Sequence, residues 1–204
     1  MHTTLFSTAY FAPVQYYWHW RRSERPMVEA CEHYMKQTWR NRCLIGTANG
    51  AMVLSLPVEG NVEKKGIRDI RLSDHGNWQH IHWNSIESAY NSSPFFEYYV
   101  DDLRPFFEKK PAFLFDFNEE IREKMCELLE IKASSQQTTE YLPEREITDG
   151  WVDLRNTIHP KKFVDPLFKS EPYYQVFDRK FGFQPNLSIL DLLFNMGPEA
   201  ILYL

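Results

Sequence analysis

One histidine, one basic run and one pair of carboxylates are the residues best suited to chemistry in this chain. His82 falls one turn after Trp78 in a segment of helical periodicity, so its imidazole shares the apolar face of that helix while His80 points elsewhere. An imidazole titrates near neutrality and, set at a cleft among rings, can serve as a general base. The competing use is a buried, neutral histidine with both nitrogens hydrogen-bonded. The run Lys36-Gln37-Thr38-Trp39-Arg40-Asn41-Arg42, if extended, projects Lys36, Arg40 and Arg42 to one side. There guanidinium forks would grip phosphate or carboxylate, with Trp39 or Tyr34 stacking on a base or sugar ring. A solvated edge strand, or salt bridges to Glu29 and Glu32, competes equally with that use. Glu29 and Glu32 would form a catalytic carboxylate pair only if their segment were helical.

Absent motifs narrow the chemistry. The sequence has no G-x-x-x-x-G-K-[ST] loop, no G-x-G-x-x-G turn, no H-E-x-x-H pair and no G-x-S-x-G elbow. Its three cysteines, Cys31, Cys43 and Cys126, are odd in number and lack Cys-x-x-Cys spacing, so neither a disulfide framework nor a zinc knuckle is written here. No metal site and no cofactor are expected. A net charge of −5 leaves no overall basic field, and no nucleic-acid partner is expected. No apolar run approaches the roughly 20 residues of a membrane span, and the start of the chain lacks a signal-like leader, so a cytoplasmic location is expected.

The elements that must position these groups follow from periodicity and punctuation. With 204 residues of ordinary globular composition, a single domain over 1–204 is expected. Leu5 to Phe11 has strand character and is closed by Pro13, which suits the first turn of a short aromatic helix carrying Val14, Tyr17, Trp18 and Trp20. Met27 to Tyr34 alternates as a second strand, with a helix as the other option. Cys43 to Ile45 and Met52 to Val58 flank Asn49-Gly50, a strong hairpin signal, and Ile67 to Leu72 alternates as one more strand. Trp78 to Tyr90 is an amphipathic helix with Asn77 as its cap, Pro94 to Phe107 is partly helical, and a further helix begins near Asp116. Ala133 to Glu146 is polar and has the composition of an exposed connector. Ser188 and Asp191 have capping spacing before the apolar Leu190 to Phe194, and Ile201 to Leu204 should dock on the core. The expected fold is therefore α/β in the mixed α+β sense: a mixed β-sheet with packed helices and one β-hairpin.

Tyr10 to Tyr17, Val28 to Cys43, Asn49-Gly50, Leu56-Pro57-Val58, Trp78 with His82-Trp83, Ile86 to Tyr90, Ser93 to Phe96 and Leu187 to Leu193 together resemble the blocks of the WbqC-like protein family. The resemblance covers most of the chain outside Ala133 to Glu146. The polar positions it carries over are Gln15, Glu29, Lys36, Gln37, Arg40, Asn41, Arg42, His82 and Tyr90. The family takes its name from a member encoded in an O-antigen gene cluster, so the resemblance implies a part in surface polysaccharide biosynthesis. On that basis a transferase moving an acyl or aminoacyl group onto a sugar or related small molecule is expected. His82 would be the base, Arg40, Arg42 and Lys36 would hold an activated phosphate-bearing partner, and Asn41 and Gln37 would orient polar groups. The alternative is a noncatalytic binding or assembly protein whose aromatic face comprises Trp18, Trp20, Phe95, Phe96, Tyr98 and Tyr99.

Overall fold

Thr3–Ser7 (β1) carries Leu5 and Phe6, both fully buried, in a strand whose three central residues are all covered. A strand apolar on both faces belongs in a parallel sheet with structure packed on each side. β1 pairs in parallel with Arg25–Glu29 (β2), placing Leu5 opposite Met27, and the crossover between them is the aromatic helix Val14–Arg22 (α1). The computed structural model describes residues 2–147, 149–161 and 165–204. Gln136–Gln137 (β5) adds to the outer edge of β2, and Trp151–Asp153 (β6) adds to the free edge of β1, so the parallel sheet has the order β5-β2-β1-β6.

The antiparallel pairing lies in a separate two-stranded sheet, Arg42–Thr47 (β3) against Gly50–Ser55 (β4). A hairpin closes through a local turn, whereas parallel neighbours need crossovers, and the two kinds of strand segregate here. Gly50 alone takes positive φ in that turn, at 99°. The helices Trp78–Tyr90 (α2), Phe96–Leu103 (α3), Pro105–Glu108 (α4) and Leu114–Leu128 (α5) follow, then Asp178–Phe181 (α6) and Ile189–Met196 (α7). Rings fill the interior: Phe6 meets Tyr16 and Trp20 at centroid separations of 4.9 and 5.0 Å, and Phe11 stacks on Phe107 at 5.9 Å.

Several expectations need correction. Ile67 to Leu72 is not a strand: Ile67–Asp69 forms a 3-10 turn, and only isolated bridges from Arg71 to Phe113 and from Leu72 to Val58 remain. Alternation was satisfied there by burial of Ile67, Ile70 and Leu72 in a turn instead of a ladder. The first strand ends at Ser7, not Phe11, and the second spans Arg25–Glu29, because the chain turns away at both strand ends. Asn77 has left-handed φ and makes no capping bond, and α5 begins at Leu114, with Asp116 inside its first turn. Ser188 does cap α7, accepting from the Leu190 N–H at 3.3 Å. Leu204 is buried, and Arg21 reaches the Ile201 carbonyl at 2.9 Å. Within 133–146, Gln136 and Gln137 are exposed yet pair with β2, while Thr138 is buried.

Candidate functional site

Chain direction fixes where the parallel sheet presents its functional end. From β1 the chain passes outward to β2 and β5, then returns to the opposite flank as β6, so the strand order reverses between β1 and β6. In open parallel sheets ligands bind outside the carboxyl ends of the strands at such a reversal. A crevice lies there, lined by Ser7 at the end of β1 and Thr8 and Ala9 just past it, by Leu154 and Arg155 after β6, and by Tyr16, Trp39 and Arg40. Its free volume of about 10 Å³ is close to what a single water needs. Arg40 and Arg155 also line a wider hollow of about 150 Å³ with Glu32, His33, Met35, Tyr141 and Asn156; crevice and hollow share these two side chains as a wall, and the hollow is called the mouth below.

Both guanidiniums are buried and paired. Arg40 meets Glu32 through two bonds, Nε to Oε1 at 2.8 Å and Nη2 to Oε2 at 2.5 Å, and Nη2 also donates to Ser7 Oγ at 2.7 Å. Arg155 donates from Nε and Nη2 to Asp153 at 2.9 and 2.6 Å, and from Nη1 to Glu29 at 3.0 Å and the Leu142 carbonyl at 2.8 Å. Burial works against the charge of Arg155, but Asp153 and Glu29 more than offset it, and the net effect raises its pKa. Behind Thr8, Glu119 accepts from the Thr8 hydroxyl at 3.2 Å and from Arg122 at 2.9 Å. Burial lifts the Glu119 pKa above the ordinary carboxylate value, with Arg122 and Thr8 opposing. The Tyr16 hydroxyl and the Trp39 indole N–H, which belong to two of the residues lining the crevice, are buried and have no hydrogen-bond partner among the described residues.

The run Lys36 to Arg42 is not extended. It is a series of turns with Gln37 at φ 61° and Thr38 donating to the Met35 carbonyl, so its cationic side chains do not share a side. Lys36 and Gln37 are exposed, with Gln37 accepting from Lys161, while Arg40 points inward to its carboxylate partner. Asn41 is buried and donates to the Leu56 carbonyl at 3.1 Å, and Arg42 opens β3 half-buried. Gln15, at the start of α1, donates to Asp165 at 2.7 Å and accepts from Asn186 at 3.1 Å. His19 shares the same Asp165 oxygen at 2.6 Å. Tyr90 donates to Asp191 at 2.9 Å inside the core. Glu29 holds Arg155, and Glu32 holds Arg40, so neither carboxylate faces the other as a pair.

His82 stands apart from all of this. It is 4% exposed, its Nδ1 lies 2.9 Å from the Tyr10 hydroxyl, and Trp78 packs edge-on at 5.4 Å. Burial depresses its pKa to about 4, against a smaller opposing effect from a hydrogen bond with the Ser55 backbone. It is not among the residues lining the crevice or its mouth. The imidazole therefore does not share this crevice or its mouth with the guanidiniums: α2 turns His82 toward Tyr10 in the core, while Arg40 sits at the strand ends. The aromatic face is corrected as well, because Trp20, Phe96 and Tyr99 are core residues and only Tyr98, at 75% exposure, stands out in solvent.

Ser7, Thr8, Tyr16 and Arg155 belong to the crevice and were not singled out from the sequence. Ser7-Thr8-Ala9, small residues at the end of an apolar strand, were the available signal. Arg155 had none, since its Glu29 partner lies 126 residues away. Among the described residues no group of three or more His, Cys, Asp or Glu side chains could hold a metal ion, and no helix is long and apolar enough to cross a membrane.

These features define an open parallel α/β domain with a small polar crevice at its strand-order reversal. Residues 8–168 match the WbqC-like protein family, and the chain belongs to that family. It is also similar to the protein named "Uncharacterized protein Rv1507c" of Mycobacterium tuberculosis, 30% identical over 194 residues that cover 84% of this chain and 83% of the relative. No solved structure matches the chain.

Proposed function

We propose that the chain is a transferase acting on small polar molecules, with surface-polysaccharide intermediates as its substrates, and that it works at the carboxyl ends of β1 and β6. The observation that carries this reading is the crevice bridged by two buried guanidiniums at the reversal of strand order. Family membership supports the biosynthetic setting, through the O-antigen context of the family's namesake. In acyl or aminoacyl transfer an amine or hydroxyl attacks the acyl carbon, its proton passes to a base, and the leaving group departs with its bonding pair. We assign the proton-accepting role to Glu32, which lines the mouth and is oriented by two bonds from Arg40. Ser7 and Thr8 flank the inner end, where the reacting oxygen would sit.

A thermal-shift panel of sugars, amino sugars, sugar nucleotides, acyl thioesters and amino acids tests the site. Tyr141, 51% exposed at the mouth with Arg155 5.4 Å from its ring, can be truncated at little cost to the fold. The expected result is a stabilising ligand whose affinity falls about tenfold in Tyr141→Ala, the loss of one stacking contact of roughly 1–2 kcal/mol. Ligands that stabilise wild type and Tyr141→Ala equally would remove the site from this face.

A further inference from the structure

Resting on the site proposed above, we propose that its mouth holds an anionic oxygen group of the ligand, a phosphate or a carboxylate, on the free Nη1 edge of Arg40 and the imidazole of His33. Arg40 gives its Nε and Nη2 to Glu32 and Ser7, and its Nη1 bonds no described residue. That nitrogen is also absent from the buried polar atoms left without a partner, so it reaches accessible surface, and Arg40 lines both the crevice and the mouth. Of these two spaces only the mouth, at about 150 Å³ against about 10 Å³, has room for more than a water. The guanidinium is thus fixed along one edge and open at the other, which orients two N–H donors before any ligand arrives. A group that can only donate calls for an acceptor.

His33 supplies the second contact. Its side chain is exposed, lines the same hollow and bonds no described residue. Its backbone is held on both sides: the Ile67 N–H donates to the Glu32 carbonyl and the Tyr34 N–H to the Lys65 carbonyl, each at 2.9 Å, with His33 itself bridged to Gly66. A ring on a pinned backbone costs little to order around a ligand. Imidazoles protonate near neutrality, and an imidazolium donates charge-assisted hydrogen bonds to phosphate or carboxylate. Charge then selects the ligand. The walls of the mouth present two guanidiniums, Arg40 and Arg155, and one imidazole against the single carboxylate of Glu32. Glu29 and Asp153, which pair with Arg155, and Glu144, which accepts from Asn156 at 3.0 Å, are not among the residues lining it. A hollow walled mainly by one sign of charge concentrates ions of the other. A neutral oxygen would bond the same Nη1 about half as strongly as an anionic one.

The test is NMR on the full chain at constant ionic strength. It reads the His33 imidazole C–H signals, assigned by their loss in His33→Gln, and the Arg40 Nε–H, assigned through its own side-chain carbons. Inorganic phosphate, glucose 1-phosphate and acetate are the anionic probes; glucose is the neutral one. The expected result is a saturable shift of both residues with an anionic probe and none with glucose, and an affinity about tenfold weaker in His33→Gln, the loss of one charge-assisted bond. Saturation by the two phosphate probes alone assigns a phosphate, by acetate alone a carboxylate, and by all three an anionic oxygen of either kind. The melting temperature of His33→Gln should stay within about 2 °C of wild type, as for other exposed side chains. A larger fall would show the ring engaged within the fold and overturn the inference. So would anions that leave the Arg40 signal unmoved, bind His33→Gln as they bind wild type, or act no more strongly than glucose. In any of those cases, a neutral ligand whose binding is lost in Tyr141→Ala leaves the proposed site standing while this recognition fails; a ligand panel indifferent to Tyr141 removes both.

Discussion

Glu29→Ala is expected to lower folding stability by about 3–5 kcal/mol, the cost of removing one partner from a buried ion pair. Glu29 is 0% exposed at the end of β2 and serves four donors at once: Arg155 Nη1 at 3.0 Å, Thr138 Oγ1 at 2.5 Å, the Cys31 N–H at 2.9 Å and the Leu142 N–H at 3.2 Å. It thereby ties β2, the 138–142 segment and the residue after β6 into one knot at the functional end of the sheet. Alanine would strand two backbone N–H groups and leave Arg155 with Asp153 as its remaining carboxylate partner. Glu29→Gln keeps the volume and one acceptor oxygen, so a smaller loss, about 1–3 kcal/mol, is expected. Against a total stability of about 5–15 kcal/mol for an ordinary domain, the alanine change is severe. Urea denaturation gives the magnitude, and amide exchange should show 138–142 opening first. A loss below about 1 kcal/mol in Glu29→Ala would mean that this network does not hold the strand ends together.

Acidification should act on two buried groups in opposite directions. Burial holds the His82 pKa at about 4, below the 6.5 of a free imidazole. The unfolded chain therefore takes up a proton that the folded chain refuses, and stability from His82 is lost as pH falls from 6.5 to 4, by about 3 kcal/mol. Asp191 shifts the other way. Burial raises its pKa from 3.8 to about 6, against the opposing effects of bonds donated by Tyr173 at 2.8 Å, Gln175 at 2.8 Å and Tyr90 at 2.9 Å. The folded chain keeps a proton that the unfolded chain releases above pH 3.8, so stability is gained as pH falls from 6 to 3.8, again by about 3 kcal/mol. The two nearly cancel between pH 4 and 6. His82→Gln should then grow more stable on acidification relative to wild type, and Asp191→Asn less stable, with divergence of each from wild type approaching 3 kcal/mol near pH 4. Denaturation curves at pH 4, 5 and 6.5 on the three chains measure this. Parallel curves would show that neither side chain carries a shifted pKa.

The Glu29 and His82 predictions reverse the weights that residue type suggests. A mid-helix histidine invites a catalytic role, yet the turn that puts it on the apolar face of α2 also drives it into Tyr10 and Trp78. Arg40 invites anion binding, yet a carboxylate eight residues earlier takes the Nε–Nη2 edge of its guanidinium. That pairing was one of the three options the run Lys36 to Arg42 left open, and the turns between Cys31 and Asn41 decided it by folding Glu32 back onto Arg40.

What the sequence determined by itself was whatever short-range physics controls. The α/β class, the Asn49-Gly50 hairpin, the amphipathic span Trp78–Tyr90 and the Ser188 cap each depend on residues a few positions apart, and each appears in the folded chain. Family membership was legible for a related reason, since long ordered blocks survive as text. Only the tertiary structure decided that β1 and β6 are neighbours, that their ends enclose a crevice, and that Glu29 meets Arg155 across 126 residues. Parallel pairing leaves no turn signature between partners, and ion pairs between distant segments leave no spacing to detect. Local hydrogen bonding and side-chain period wrote the elements into the chain; the geometry of their association chose which polar residues face the crevice and which are sealed in the core.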